Sequence, residues 1–540
     1  MRCDAMLAST STARISDVDD RLIARPTVAI PQQKICRYMQ HAALSRSLKV
    51  FFAYGFYGDA HTGDAVDDVI LKRTPGFNLA MFGSAAFVAA FASCVAGMRA
   101  PQPIPKGTPL ERYPAKSLCS RCGLCDSSYI GKVKEACAFL GEGWGRTSQL
   151  EAATHGRQRN LDDETELYFG VTQALQLAKV RAERRPRDAG WTGIVTSIAA
   201  AALERGVVDA VIGVGRAGTG PYERMEPAPV LCRTPAEVLG RCPGVKPVLA
   251  PSLELLDQVA RDNSIRRLLF LGVGCQVQAA RALDLNLEEL YVLGTNCADN
   301  VRSPDALKKF LRAVSQSPET AIGFEFMQDY TVHVKHVDGK RYERVPVFSL
   351  PSEQLKDVIA VSCYSCFDYV NSLADLVVGY MAAPDEGVQM TQHSQYYVVR
   401  NDRGRRLLEL IADDLEVNEL SRANDGASRI GFAKQVTEQD LETLFLGAKP
   451  KIWALPDWVA RLAAKLLSLT GPSGLEFAKN SIDYHQLRNA IHLRVTTPQS
   501  AGIIPEHARR IEALHYPGFT DTLVKRYLTA LETTHGPSTG

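Results

Sequence analysis

Cys119, Cys122, Cys125 and Cys137 crowd the stretch SLCSRCGLCDSSYIGKVKEAC, Ser117 to Cys137, in a chain of 540 residues with 13 cysteines. The first three form C-x2-C-x2-C, and the fourth follows after an eleven-residue gap. Cysteines three apart on a tight turn seldom meet the geometry of a disulfide. A structural zinc site needs only paired C-x2-C knuckles. Three cysteines at successive spacings of three instead wrap a loop around a larger object, as in iron–sulfur ligation. Gly123 lets the backbone turn tightly there. Iron–sulfur ligation is the preferred reading, with zinc as the alternative.

Four more cysteines lie far downstream. Cys275 stands in LLFLGVGCQVQAARAL, an apolar strand, a glycine turn and a helix. Cys297 follows the apolar run of LYVLGTNCADN, and Cys363 and Cys366 form the C-x2-C of SCYSCFDY. A cysteine at a strand end is ordinarily a small buried hydrophobe. Loops after parallel strands, however, gather at one crevice. Two strand-end cysteines and one C-x2-C therefore make a second set of four ligands.

Between the sets, WTGIVTSIAAAALERGVVDAVIGVG, LELLDQVARDNSIRRLLFLGVGC and LEELYVLGTNC alternate helix with short apolar strand. This predicts an α/β fold with a mostly parallel sheet core. DYTVHVKHVDGKRYERVPVF adds a β-hairpin around Asp338-Gly339, and LADLVVGYMA is one more buried strand. A small helical iron–sulfur segment precedes the core and a helical region follows it. The expected organisation is a leader and linker over 1–112, the iron–sulfur segment over 113–160, a flavin and second-cluster core over 161–412, and a helical region over 413–540.

Gly213, Gly215 and Gly218 have the spacing of a dinucleotide loop, but TGPYERMEPAP follows and cannot open a helix, so a glycine-rich loop is expected. Gly190, Thr192, Gly193 and Thr196 in AGWTGIVTS are a better phosphate site, because free N–H groups and hydroxyls gather at a helix start. A plain N-cap is the alternative. In KIWALPDWVARLAAKLLSLTG, Asp457, Arg461 and Lys465 share a stripe, with Trp453, Trp458, Leu462, Leu466 and Leu467 over much of the remainder. That helix suits either a membrane surface or packing on the core.

Lys and Arg number 62 against 60 Asp and Glu, so no basic field points to nucleic acid. The first 49 residues carry Arg2, Arg14, Arg21, Arg25, Arg37 and Arg46 among Ser, Thr and Ala, as in an organelle transit peptide, although Asp17, Asp19 and Asp20 are unusual there. Asn78 to Met98 is an uncharged run that reads as a membrane span, a removed targeting segment or a hydrophobic anchor. Cys3, Cys36, Cys94, Cys232 and Cys242 read as structural or as part of the leader.

CSRCGLCDSSYIGKVKEACAFLGEG, WTGIVTS, RRLLFLGVGCQVQA, YVLGTNCADN, FEFMQDYTV, SCYSCFDYVNSLADLVVGYM and GLEFAKNSIDYH, in this order from about Tyr113 to about Ile511, resemble the deazaflavin-reducing hydrogenase beta-subunit family of iron–sulfur flavoproteins. The resemblance implies an FAD, two 4Fe–4S clusters, reduced ferredoxin as donor and a chloroplast setting, in the stroma or at the stromal face of the thylakoid. It also implies a chlorophyll-type tetrapyrrole substrate, and it allows a homo-oligomer and peripheral membrane contact. GTNC, SCYSC, ACAFLGEGWGR and MTQHSQYYVVRN are similar to the branch that reduces the 7-hydroxymethyl group of chlorophyll a. The alternative is the branch that reduces the 8-vinyl group of divinyl chlorophyllide, which tends to read GTPC and SCMSC. Ser127-Ser128 and GRAGTG depart from the family pattern. Cys119, Cys122, Cys125 and Cys137 are expected to hold one cluster, and Cys275, Cys297, Cys363 and Cys366 the other.

Converting CH2OH to CH3 takes two electrons, two protons and loss of water, so a proton donor is needed. Asp329, His333 and His336 near the hairpin are the candidates. Strand alternation puts the two histidines on opposite faces, and a surface location is the plainer reading of each. Two rivals from other classes are an electron-transfer subunit that binds no pigment and a zinc-stabilised binding module.

Overall fold

A computed structural model describes residues 118–535 apart from 188, 243–248, 356, 421–428 and 449–453. The leader over 1–112, the segment 78–98, Cys3, Cys36, Cys94 and Trp453 lie outside the described residues. Among the described residues no helix is long and apolar enough to cross a membrane.

The strands are β1 (Ala174–Val180), β2 (Ala210–Arg216), β3 (Pro227–Cys232), β4 (Arg267–Gly272), β5 (Glu289–Thr295), β6 (Ala321–Phe326), β7 (Thr331–His336), β8 (Tyr342–Pro346), β9 (Leu376–Gly379), β10 (Gln395–Val399) and β11 (Leu415–Asn418). Eight of them form one sheet in the order β11-β1-β10-β9-β5-β4-β2-β3. Its centre is parallel, with β2, β4, β5 and β9 side by side. Its flanks are antiparallel. The sheet is thus parallel where helices cross over between strands and mixed at both edges. Pro227 and Pro229 lie on β3, where an edge position tolerates the missing donor.

Apolar residues alternate along these strands, so the sheet has two buried faces. Ile212, Leu268, Phe270, Val292 and Val377 face one core, with Val277 and Ala280 of the helix Gly274–Arg281. Val211, Leu269, Leu271, Tyr291 and Val378 face the other, with Ile194 and Ile198 of the helix Ile194–Glu204. The first core also takes Leu124, Phe169, Ile482 and Ile511, so the three segments 113–160, 161–412 and 413–540 share it.

The predicted hairpin forms as β7 and β8, and β6 extends it to a second, three-stranded sheet. The Asp338 carboxylate accepts from the Lys340 and Arg341 backbones and closes the turn. Gly213 and Gly215 lie inside β2 rather than in a loop, which corrects the expected glycine-rich turn. The helical C-terminal region comprises Arg429–Leu446, Asp457–Thr470, Leu475–Thr496, Glu506–His515 and Phe519–His535.

One buried carboxylate ties the sheet to its helices. Asp375 accepts from the Val292 N–H at 2.7 Å and from Asn401 Nδ2 at 2.7 Å. It also meets Arg281 at 2.8 Å and Arg403 at 3.0 Å. Burial would raise this carboxyl, yet the two guanidinium groups hold it below its ordinary value. Asp375→Asn leaves two cations facing a neutral group and is expected to cost about 3–5 kcal/mol, read as a lowered thermal midpoint. Because the folded value is depressed, the contribution is full at neutral pH and is lost only as pH falls through that value.

Candidate functional site

The first thiol set lies on a loop pressed against residues 251–257. Gly123 has φ +93°, and a Cβ there would stand 2.6 Å from the Pro251 carbonyl oxygen, so only glycine permits the turn. The Leu253 N–H donates to the Cys122 carbonyl at 2.8 Å. The two serines that depart from the family pattern have local work: Ser127 caps the turn at Tyr129, and Ser128 donates to Asp257 through both its N–H and its hydroxyl.

The second set is brought together by strand ends and one helix. Cys275 opens the helix after β4, and Cys297 follows β5. The segments around Asn300 and Ala360 pair through a bridge between Val301 and Ile359, which places Cys363 and Cys366 opposite Cys297. Asn489, on the helix Leu475–Thr496, donates to the Cys363 and Cys366 carbonyls at 2.6 and 2.7 Å. Arg488 forks onto Asp299 at 2.8 and 2.9 Å, under the Tyr364 ring. Burial opposes the Asp299 charge, but Arg488 and His485 bring its carboxyl down to about 2. Cys275, Cys297, Cys363 and Cys366 line one cavity, with Ser120, Phe139 and Tyr369.

Two features of these sulfurs bear on what they can hold. Burial, a little aided by neighbouring cysteines, pushes the Cys122 and Cys297 thiols up to about 12 and Cys137 to about 11, so as bare thiols they stay neutral. Yet backbone N–H groups two residues on are aimed at the sulfurs of Cys119, Cys122, Cys137 and Cys366. Donors arranged in this way suit sulfur that carries negative charge, as thiolate bound to metal does. Among the described residues no group of three or more His, Cys, Asp or Glu closes on a point tightly enough for one metal ion. Cys275 feels both Cys122 and Cys363, so the two sets are neighbours. Cys119 and Cys125 are exposed, whereas Cys363 is buried.

Polar atoms without partners gather at the edge of the sheet where the parallel strands end. Thr192 is fully buried and donates to Gln395 Oε1 at 2.7 Å. The helix after Gly193 has no side-chain cap, so its first N–H groups stay open. Gln395 Nε2, Tyr396 OH, Thr295 Oγ1 and Arg185 Nε are buried without a partner. Such atoms call for a polar partner, ordered water or a ligand. Thr196 turns away, its hydroxyl 3.5 Å from the Cys242 carbonyl. Gly190 lies just ahead of the turn, beside Trp191, whose ring meets Tyr380 at 5.5 Å.

His333 and His336 are both fully buried, which corrects the surface reading. His333 faces the crevice. Tyr342 OH accepts the Met390 N–H at 2.7 Å and lies 2.6 Å from His333 Nδ1. The Asp329 carboxylate can only accept, so Nε2–H donates to it at 2.9 Å, and in the neutral ring Nδ1 then accepts the Tyr342 hydroxyl proton. His336 points to the other face of the small sheet, against Thr320 and Glu343. Sequence reasoning missed Glu325, the cross-strand neighbour of His333. It is half-buried and lies within electrostatic reach of Tyr342, Tyr380 and Tyr396, and desolvation of its carboxyl raises it to about 8. The available signal was FEFMQDYTV, where Glu325 is the acid on the strand preceding the hairpin.

The chain matches two family models, coenzyme F420 hydrogenase/dehydrogenase beta subunit N-terminus over 176–257 and C-terminus over 265–423. It is 49% identical over 419 residues to the chloroplastic 7-hydroxymethyl chlorophyll a reductase of Oryza sativa subsp. japonica, covering 76% of this chain and 86% of that one. It is 45% identical over 407 residues to an uncharacterized protein of Nostoc sp., covering 75% and 94%. To the beta subunit of the coenzyme F420 hydrogenase of Methanosarcina barkeri it is 26% identical over 204 residues, covering 36% and 65%. With a sheet edge and thiol sets of this kind, the chain belongs to the coenzyme F420 hydrogenase/dehydrogenase beta-subunit family of oxidoreductases.

Proposed function

We propose that this chain reduces 7-hydroxymethyl chlorophyll a to chlorophyll a in the chloroplast, with electrons from reduced ferredoxin. The observation that carries this reading is the adjacency of the two four-cysteine sets, one open to solvent and one beside a polar crevice, in a chain similar to the rice reductase. Cys119, Cys122, Cys125 and Cys137 would hold one 4Fe–4S cluster, and Cys275, Cys297, Cys363 and Cys366 the second. An FAD would lie against Gly190, Thr192, Gly193 and the unpaired groups of Thr295, Gln395 and Tyr396. When bound, these groups relay single electrons and deliver them in pairs, as a hydride equivalent.

The residues of the chain supply the remainder. Exposed Cys119 and Cys125 put the first set where a donor protein can approach. Trp191, Tyr380 and Met390 line an apolar wall that keeps water from the crevice. The departing hydroxyl takes a proton from a group within hydrogen-bond reach. Glu325 suits that task, because desolvation raises its carboxyl to about 8 and keeps it protonated at neutral pH. His333, steadied by Asp329 and Tyr342, stands across the strands from it. His336, on the far face, takes no part.

The test is an anaerobic assay of the purified chain with reduced ferredoxin and each pigment, followed by product identification. Chlorophyll a is the expected product. The 8-ethyl pigment alone would transfer the assignment to 8-vinyl reduction, and no turnover by the lone chain would favour an electron-transfer subunit. Cys119→Ser is expected to lose about half of the bound iron and the ferredoxin-driven rate, measured by metal analysis and turnover. Glu325→Gln is expected to lower kcat by about 10²–10⁴. In the unaltered enzyme kcat should fall as pH rises past about 8, where the carboxyl gives up its proton, and the variant should lack that limb.

A further inference from the structure

The helix Asp457–Thr470 turns two different faces outward and inward. Ala460 and Ala464 are buried with Tyr330 and Phe348, so one face is fastened to the small sheet. On the opposite side Trp458, Leu462, Leu466 and Leu469 are 71%, 63%, 58% and 69% exposed. Their spacings of four, four and three align them along one ridge. Lone exposed leucines are ordinary on a protein surface, but four large side chains in one line mark an interaction site.

The charges beside the ridge discriminate between occupants. Arg461 and Lys465 stand next to it, one turn apart. The helix has a single acid, Asp457, and it is spent on Arg461 at 2.7 Å. Arg461 also donates to the Arg344 carbonyl at 3.4 Å, which holds its guanidinium beside the ridge. With Asp457 and Arg461 paired, Lys465 leaves the helix with a net positive charge, and a second copy would bring the same charge to the contact. Anionic headgroups complement them, and tryptophan beside basic residues over an apolar strip is the composition of an interfacial helix. With 14 residues the helix is too short to span a bilayer and would lie along its surface.

We propose that the ridge Trp458–Leu462–Leu466–Leu469, with Arg461 and Lys465, docks this protein flat on an anionic lipid surface. The helix ends at Gly471, packed on Tyr330, the residue after Asp329. Lipid contact is thereby tied to the hairpin wall of the crevice. A lipid-borne substrate would give the docking a purpose, but the docking does not require the proposed reaction.

The experiment is flotation of the full-length, cofactor-loaded protein with vesicles of phosphatidylcholine, with and without phosphatidylglycerol, at low and high salt. The protein should float with the anionic vesicles, less so at high salt, with a blue shift of Trp458 emission. The bound fraction should drop about tenfold or more in W458S/L462S/L466S. R461Q/K465Q, which leaves the apolar ridge intact, should weaken binding to anionic vesicles and flatten its salt dependence. Absence of flotation, or equal flotation of the serine variant, would overturn the proposal. So would conversion of an oligomer to monomer by the serine substitutions with vesicle binding unchanged, because the ridge would then be a contact between copies. Pigment reduction assayed in detergent reports on the proposed reaction separately.

Discussion

Eight sulfurs on separate loops can act together only if those loops are held still, and one helix does most of the holding. Asn489 satisfies the carbonyls of Cys363 and Cys366 with one amide, and that amide also reaches Tyr369 OH at 2.6 Å. Arg488 beside it neutralises Asp299, two residues after Cys297. His485, one turn earlier, lies 3.0 Å from the Ala298 carbonyl. These are buried polar groups, and each left unpaired would cost the full penalty of its desolvation. The second thiol set therefore depends on a segment of chain more than a hundred residues downstream of its last cysteine.

The sheet provides the complementary constraint. Its parallel centre makes strand ends converge, so Cys275 and Cys297 arrive at one edge without any signal between them in sequence. The antiparallel flank adds β10, whose first residues bring Gln395 and Tyr396 to the same edge. Thr192 and Gln395 then meet across 203 positions of chain. The crevice is closed on its far side by the small sheet, which supplies Glu325, His333 and Tyr342.

Much of this is legible in the sequence where local chemistry governs. Alternating helices and apolar runs mark β2, β4, β5 and β9, since buried strands and amphipathic helices carry their periods in the chain. The hairpin shows in its Asp-Gly turn. The strand β6 does not, because FEF is short and its pairing partner is defined only by the fold. The glycine triplet misleads for a related reason. Glycine reads as a turn unless the neighbouring strand is known, and here β3 pairs with β2 across Gly213 and Gly215. A surface position for both histidines fails as well, since burial of β7 on both faces comes from elements packed on it from elsewhere.

Spacing along the chain marked the thiols as a soft ligand set rather than as disulfides, because three cysteines at intervals of three, followed by a fourth, suit ligation and not bridging. It also determined the helix whose outer ridge stays in solvent. Only the tertiary structure decided that the two cysteine sets are neighbours, that Thr192 serves Gln395, and that Glu325 rather than His336 faces the crevice. Those outcomes rest on burial and pairing between residues far apart in sequence, and the raised affinity of a carboxyl for its proton exists only once other segments have partly desolvated it.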